Sequence, residues 1–300
     1  MTSQLADLVA AELALPVDPR VTRLASAIAE HHGAASAGVL FYGSCLRQAE
    51  LDGLMLDFYL IVDDYRAAYG SAWLATANRL IPPNVFPFEA DGLAAKYAVL
   101  SMADFRRLAS SQTRNVSVWA RFAQPSRLVW ARDARVQDGI VEAVSGAAPA
   151  LLGAARPMLP DDIPPLEYWR GAFALTYSAE LRAERKERGQ SVVDAEPDRY
   201  LRFTGPALEA AGIDPTRPVP TEDRRKAASS WRRRRIEGKA LTLVRLAKAS
   251  LTFAGGIDYL AWKINRHAGT KIDIRPWQRR WPILGAIALL PRLWRRGAVR

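Results

Sequence analysis

Two apolar runs joined through a Gly-Ser turn, the second with an aspartate in its middle, constrain this chain more than any other feature. Phe41-Tyr42-Gly43-Ser44-Cys45 reads as the end of a strand and a tight turn. Leu56-Asp57-Phe58-Tyr59-Leu60-Ile61-Val62-Asp63-Asp64 reads as a second strand. A carboxylate inside an apolar run is costly to bury unless a cation sits against it. Backbone N–H groups of such a turn suit phosphate oxygens, and a strand carboxylate suits a divalent ion. The combination fits a metal-bound nucleoside triphosphate.

The chain has 300 residues and is 49% hydrophobic, enough for a sizeable core and more than one folding unit. A single cysteine, Cys45, excludes an internal disulfide framework. Three histidines, His31, His32 and His267, leave too few ligands for a His/Cys zinc site. The first 14 residues are acidic and amphipathic and lack the pattern of a signal peptide. No apolar run reaches the roughly 18 residues of a membrane span. Charge is uneven: 20 of the 42 Lys and Arg lie from Arg224 onward, against three of the 31 Asp and Glu. A mildly acidic body therefore precedes a basic tail suited to an anionic surface.

Periodicity predicts a helix after Asp18-Pro19 that ends at Gly33, then strands over Gly38 to Tyr42 and Leu56 to Val62. A helix follows over Ala67 to Leu80, then strands over Val85 to Phe88 and Lys96 to Leu100 about an Asp91-Gly92 turn. Asp104 to Ser110 and Val116 to Phe122 read as helices, and Leu128 to Ala131 as a last strand. These elements make an α+β domain with a mixed sheet over residues 1–155. A helical domain follows over 156–240, opened by Pro157, Pro160, Pro164 and Pro165 and by a long helix from Glu167 to Arg188. A basic, Trp-containing segment covers 241–300 and begins with an apolar-basic helix over Leu241 to Ala249.

Four motifs, in order, are similar to the mitochondrial-type phosphatidate cytidylyltransferase family, the translocator assembly and maintenance proteins of the nucleotidyltransferase superfamily. They are Tyr42-Gly43-Ser44 with Asp57, Lys96-Tyr97-Ala98-Val99, Ala120-Arg121-Phe122, and Tyr177-Ser178-Ala179-Glu180-Leu181-Arg182. The resemblance implies a nucleotidyltransferase-like sheet, a winged-helix-like helical domain and a membrane-contacting end. It also implies transfer of CMP from CTP to phosphatidic acid, giving CDP-diacylglycerol and pyrophosphate, with Mg²⁺ or a similar cation. The chain departs from the family at Cys45, Ala98 and Ala120, where the family has glycine, and at Glu180, where it has aspartate.

By this resemblance Asp57 is a metal ligand and catalytic, and Lys96 neutralises phosphate charge. Gly43 and Ser44 hold the triphosphate, while Tyr42, Arg121, Tyr177, Ser178, Glu180 and Arg182 complete the substrate site. Nucleotidyltransferases usually pair two carboxylates two residues apart, yet Met55 and Tyr59 flank Asp57 at that spacing. Asp52, Asp63 and Glu89 are the open candidates for a second ligand. No general base is needed, because a phosphate monoester is largely dianionic at neutral pH.

In the tail, Trp277, Trp281 and Trp294 with several arginines bracket the apolar run Pro282 to Pro291. Ten apolar residues are too short to span but suit shallow insertion with Trp at the headgroups. The run Trp231-Arg232-Arg233-Arg234-Arg235 has the residue types of nucleic-acid binding. That reading leaves the apolar run unexplained, so the expected partners are CTP, phosphatidic acid and an anionic membrane surface, not nucleic acid. The expected location is peripheral, on the cytoplasmic face of a bacterial inner membrane or the matrix side of a mitochondrial one.

Overall fold

The strand that carries Asp57 is the middle of a five-stranded mixed sheet in the computed structural model, which describes residues 3–48, 50–180, 192–252 and 275–276. The strands are β1 (Ser36–Tyr42), β2 (Met55–Val62), β3 (Asn84–Ala90), β4 (Leu93–Ser101) and β5 (Ser126–Ala131). Their order is β3-β4-β2-β1-β5. β2 and β4 run parallel, and every other neighbouring pair is antiparallel. β1 is buried along its whole length, which is why it reads as a continuous apolar run.

Alternate residues serve two cores, as the period of two requires. Val39, Phe41, Phe58, Leu60 and Val99 face one side, where α2 (Pro19–His32) packs. Asp18 caps that helix by accepting from the backbone N–H of Arg20, and Pro19 opens it. Leu40, Tyr42, Tyr59, Ile61 and Ala98 face the opposite side.

The predicted helix over residues 67–80 is two helices, α3 (Tyr65–Tyr69) and α4 (Ala72–Leu80). Gly70, at φ 60°, terminates the first in a left-handed cap. The Asp91-Gly92 turn between β3 and β4 has positive φ at both residues, 52° and 74°, as a tight two-residue hairpin requires. After β4 come α5 (Met102–Leu108) and the short α6 (Trp119–Phe122), which is narrower than the expected 116–122. α7 (Ala134–Ser145) and α8 (Ala147–Ala155) complete the first 155 residues.

The core does not stop at residue 155. Trp169 and Phe173 of α9 (Pro165–Ala179), Tyr200 and Phe203 of α10 (Pro197–Ala210), and Trp231 share one buried cluster with Leu40 and Tyr59. Arg199 of α10, buried, is ion-paired with Glu12 at 2.5 Å and ties in the N-terminal helix. α11 (Thr221–Thr252) passes through the expected boundary at 240/241 without a break. Among the described residues no strand follows β5, and no helix is long and apolar enough to cross a membrane. Of the segment read as membrane-contacting, 241–300, residues 253–274 and 277–300 lie outside the described residues.

α11 docks through a seam with a seven-residue repeat: Arg224, Trp231, Gly238 and Arg245. A seven-residue step advances a helix by nearly two turns, so these positions share one face. Arg224 donates to the carbonyls of Pro157 and Leu159, and Trp231 Nε1 to that of Ala154 at 2.9 Å. Gly238 crosses the end of α9, and Arg245 Nε donates to Pro82 O at 2.8 Å.

Candidate active site

The register of the sheet sets out the site in rows. One row on the face toward α6 and α11 is Pro87, Lys96, Asp57, Tyr42 and Ser126; the next is Val85, Ala98, Tyr59, Leu40 and Leu128. Asp57 and Lys96 are therefore direct partners on adjacent parallel strands. Lys96 Nζ lies 3.0 Å from Asp57 Oδ1, with both side chains about three-quarters buried. This is the cation that a carboxylate in an apolar strand demands.

β1 ends beside this pair. Gly43, at φ 95° and ψ −166°, occupies a conformation that side-chain-bearing residues rarely adopt. A Cβ there would sit 3.4 Å from Asp57 Oδ2, so the turn passes directly over the carboxylate. Ser44 is exposed and opens a short 3₁₀ turn over Ser44–Arg47. Cys45 points the other way: its Sγ contacts Met55 O at 3.6 Å within the second core. Burial, and then the charge of Asp57, push its thiol pKa up. A side chain at position 45 thus leaves the cradle over Asp57 open.

Arg121 reaches the second row from α6. Its Nη1 donates to Tyr59 Oη at 3.1 Å, and its guanidinium lies 5.1 Å from the Tyr42 ring centre. Burial opposes its charge, but Tyr42, Tyr59, Glu180 and Asp57 outweigh burial and hold it well above its ordinary value. Glu180 closes the C-terminus of α9. The structure therefore brings together Tyr42, Gly43, Asp57, Lys96 and Arg121, with Glu180 in electrostatic range.

Of the other expected site residues, Tyr177 packs against the main core that also holds Tyr42 and Tyr59, and Ser178 Oγ donates to Leu175 O of its own helix. Arg182 lies outside the described residues. None of the three candidate second carboxylates joins Asp57. Asp52 is ion-paired with Arg20 at 2.9 Å, and Asp63 with Arg132 at 2.5 Å. Asp63 is also six residues further along from Asp57, about 20 Å in extended chain. Glu89 shares the face of Asp57 but lies two strands and one row away, about 12 Å. Among the described residues, no group of three or more His, Cys, Asp and Glu is placed to hold a metal.

Among the described residues Asp57 therefore has no second carboxylate at the usual spacing: Tyr59, the residue two beyond it, accepts from Arg121 through its hydroxyl. Asp57 does fit a magnesium ion arriving on a nucleotide, for which one carboxylate, phosphate oxygens and water are a usual environment.

Four side chains in or beside the site carried no signal in the sequence. Tyr59 lay in the predicted strand over 56–62 and Ser117 in the predicted helix over 116–122, with nothing to mark either as the partner of an arginine. Arg245 and Lys248 lay in a helix with no clear apolar stripe. Arg245 Nη1 donates to Ser117 Oγ at 2.7 Å, one turn before Arg121. Burial and then the charge of Arg121 hold Arg245 below its ordinary value, against Tyr59 and Glu180. Lys248 donates to the carbonyls of Ile81 and Pro83, and burial followed by the charge of Arg245 lowers its pKa to about 7. Trp231 is only 1% exposed, so the Trp231–Arg235 run offers no ring there for a nucleobase to stack on.

Compared with protein-family models and with curated proteins, the chain gives no match.

Proposed function

We propose that the protein is a nucleotidyltransferase that transfers CMP from CTP to phosphatidic acid at a membrane surface. The observation that carries this reading is the Asp57–Lys96 pair on the central parallel strands, roofed by the positive-φ Gly43 turn. The strand order, with the Gly-Ser turn at the end of the strand beside the carboxylate, supports a nucleotidyltransferase-like sheet. The helices after residue 155 would then be the expected winged-helix-like unit.

In this reading the triphosphate lies along the Gly43-Ser44 backbone, bringing its own Mg²⁺ to Asp57. Asp57 would hold that ion, and Lys96 would then turn from the carboxylate toward the phosphate oxygens. The ion's contribution is to neutralise phosphate charge and align the triphosphate. An oxygen of the phosphatidate monoester attacks the α-phosphorus of CTP and forms a new P–O bond. The bond to the β-phosphate breaks, and pyrophosphate departs with its electron pair. Lys96 and Arg121 neutralise the charge that gathers between the two reactants.

Membrane attachment rests on the Trp- and Arg-rich sequence after residue 276 and on the apolar surface of α4, where Trp73 and Leu80 are 54% and 74% exposed two turns apart. The test is purified protein with labelled CTP, Mg²⁺ and phosphatidate liposomes. CDP-diacylglycerol with equimolar pyrophosphate is the expected product; a folded sample that yields neither sinks the reading.

One observation favours a second reading. Tyr59 at the usual place of a second carboxylate suits a non-catalytic assembly factor that binds nucleotide on the same sheet. Metal-dependent CTP binding without turnover would select it.

A further inference from the structure

We propose that Arg245 of α11 and Arg121 of α6 together seat a phosphate-monoester dianion, at a place separate from the triphosphate seat of Gly43, Asp57 and Lys96. This deepens the proposed function by naming what holds the acceptor. It rests on that reading for the acceptor's identity but not for the existence of the anion site.

Three positions fix the geometry. Arg121 is held on Tyr59 Oη at 3.1 Å. Arg245 is held on Ser117 Oγ at 2.7 Å and Pro82 O at 2.8 Å. Ser117 precedes Arg121 by four residues across a turn closed by the Val116 O–Ala120 N and Val118 O–Phe122 N bonds. Both therefore lie on one side of the same short segment. The fold has fastened Arg245 to the residue one helical turn before Arg121, so two half-buried arginines from distant parts of the chain meet at one short segment, and Lys248 follows Arg245 one turn on.

Like charges gathered in a low-dielectric setting are costly, and the one carboxylate among the described residues in range of both, Glu180, balances only one of the two. The bonds to Pro82 and Ser117 use three of the five N–H donors of Arg245. Two donors are left to form the charge-assisted bonds that a phosphate oxygen accepts.

The placement also suits the chemistry. Tyr59, which holds Arg121, is two residues beyond Asp57 on the same face of β2, about 7 Å along the strand, so the second seat neighbours the triphosphate seat on one sheet face.

The experiment is calorimetric titration of the full chain with inorganic phosphate, glycerol 3-phosphate and dihexanoyl phosphatidate below its micellar concentration. A fluorescent CTP analogue reports the other seat. All three probes should bind, without competing with CTP, and Arg245→Gln should weaken each by about tenfold or more while CTP affinity is retained. A lipid acceptor shows as dihexanoyl phosphatidate binding at least tenfold tighter than glycerol 3-phosphate, and a small soluble acceptor as equal binding; both uphold the seat.

Unchanged phosphate affinity in Arg245→Gln, or displacement of CTP by phosphate, overturns the proposal. Should Arg245→Gln fold poorly, Ser117→Ala keeps the charge and removes one anchor, and Arg245→Lys keeps the charge without the fork. Both should weaken phosphate binding by an intermediate factor, and wild-type affinity in both overturns the proposal. Phosphate binding lost in Arg245→Gln without any CDP-lipid formation in the wild type would sink the proposed function and leave this site standing.

Discussion

Gly238 crosses the C-terminal end of α9 so closely that a Cβ there would overlap the carbonyl oxygen of Ala179. Both neighbours are backbone, so no flexible side chain can yield. Gly238→Ala should push α11 from α9 and shift Arg245, seven residues on. Overpacking of this kind costs about 1–3 kcal/mol. Urea denaturation should show that loss, with weaker phosphate binding at the Arg121–Arg245 seat. Wild-type stability in the variant would mean that α11 does not approach α9 as described.

Gly43→Ala separates backbone from contact. Its φ of 95° with extended ψ belongs to glycine, so any side chain costs about 1–3 kcal/mol at that position. The new methyl would also stand beside Asp57 Oδ2 at 3.4 Å, under the path of the triphosphate. CTP affinity should fall by more than tenfold. Cys45→Ala, by contrast, should leave CTP affinity within twofold, because Cys45 faces the second core. Equal losses in the two variants would contradict the cradle.

Asp57 and Lys96 balance one another in the absence of nucleotide, so removing either does more than delete a ligand. Asp57→Asn should abolish the Mg²⁺-dependence of CTP binding and lower CMP transfer by at least a hundredfold, the scale of losing one electrostatic stabiliser. Lys96→Met should weaken CTP binding with or without metal. If Asp57→Asn keeps metal-dependent binding, the ion is held elsewhere.

Lys248 makes stability depend on pH with a definite sign. Its folded pKa is lowered to about 7 from 10.5, so between these values the unfolded chain binds the extra proton. Stability therefore rises with pH from about 7 upward and is flat for this group below 7, where both states are protonated. A neutral amine still has two protons for the two carbonyls of Ile81 and Pro83. Each unit of depression is worth about 1.4 kcal/mol, so the gain between pH 7 and 9 is on the order of 2 kcal/mol. Denaturation midpoints across pH 6–9 should show this slope, and Lys248→Met should flatten it. An identical slope in the variant would remove Lys248 as its source.

The sheet was legible because its strands alternate or run apolar and its turns carry their own chemistry, as Asp91-Gly92 shows. The pairing of Asp57 with Lys96 was half legible: a buried carboxylate demands a cation, but register, not composition, selects which. The break at Gly70 was missed because Ala67 to Leu80 keeps helical spacing across it. The docking of α11 was not legible at all. Its seam is built from Arg224, Trp231, Gly238, Arg245 and Lys248, so no apolar period marks the buried face. Arg245 and Lys248 read only as the basic part of an apolar-basic helix and are bonded instead to carbonyl oxygens and the Ser117 hydroxyl.

Most of the partners that α11 grips are main-chain oxygens, those of Pro157, Leu159, Ala154, Arg114, Pro82, Ile81 and Pro83, with side-chain partners at Asp161, Ser117 and Arg114. Such an interface is one-sided in its sensitivity. Side chains of the body other than Asp161, Ser117 and Arg114 can drift without loosening it, whereas a single residue inserted between Trp231 and Arg245 would turn the later anchors by about 100°, away from their oxygens. Coevolution between the two surfaces would be nearly silent. The join would betray itself only as a fixed interval along α11.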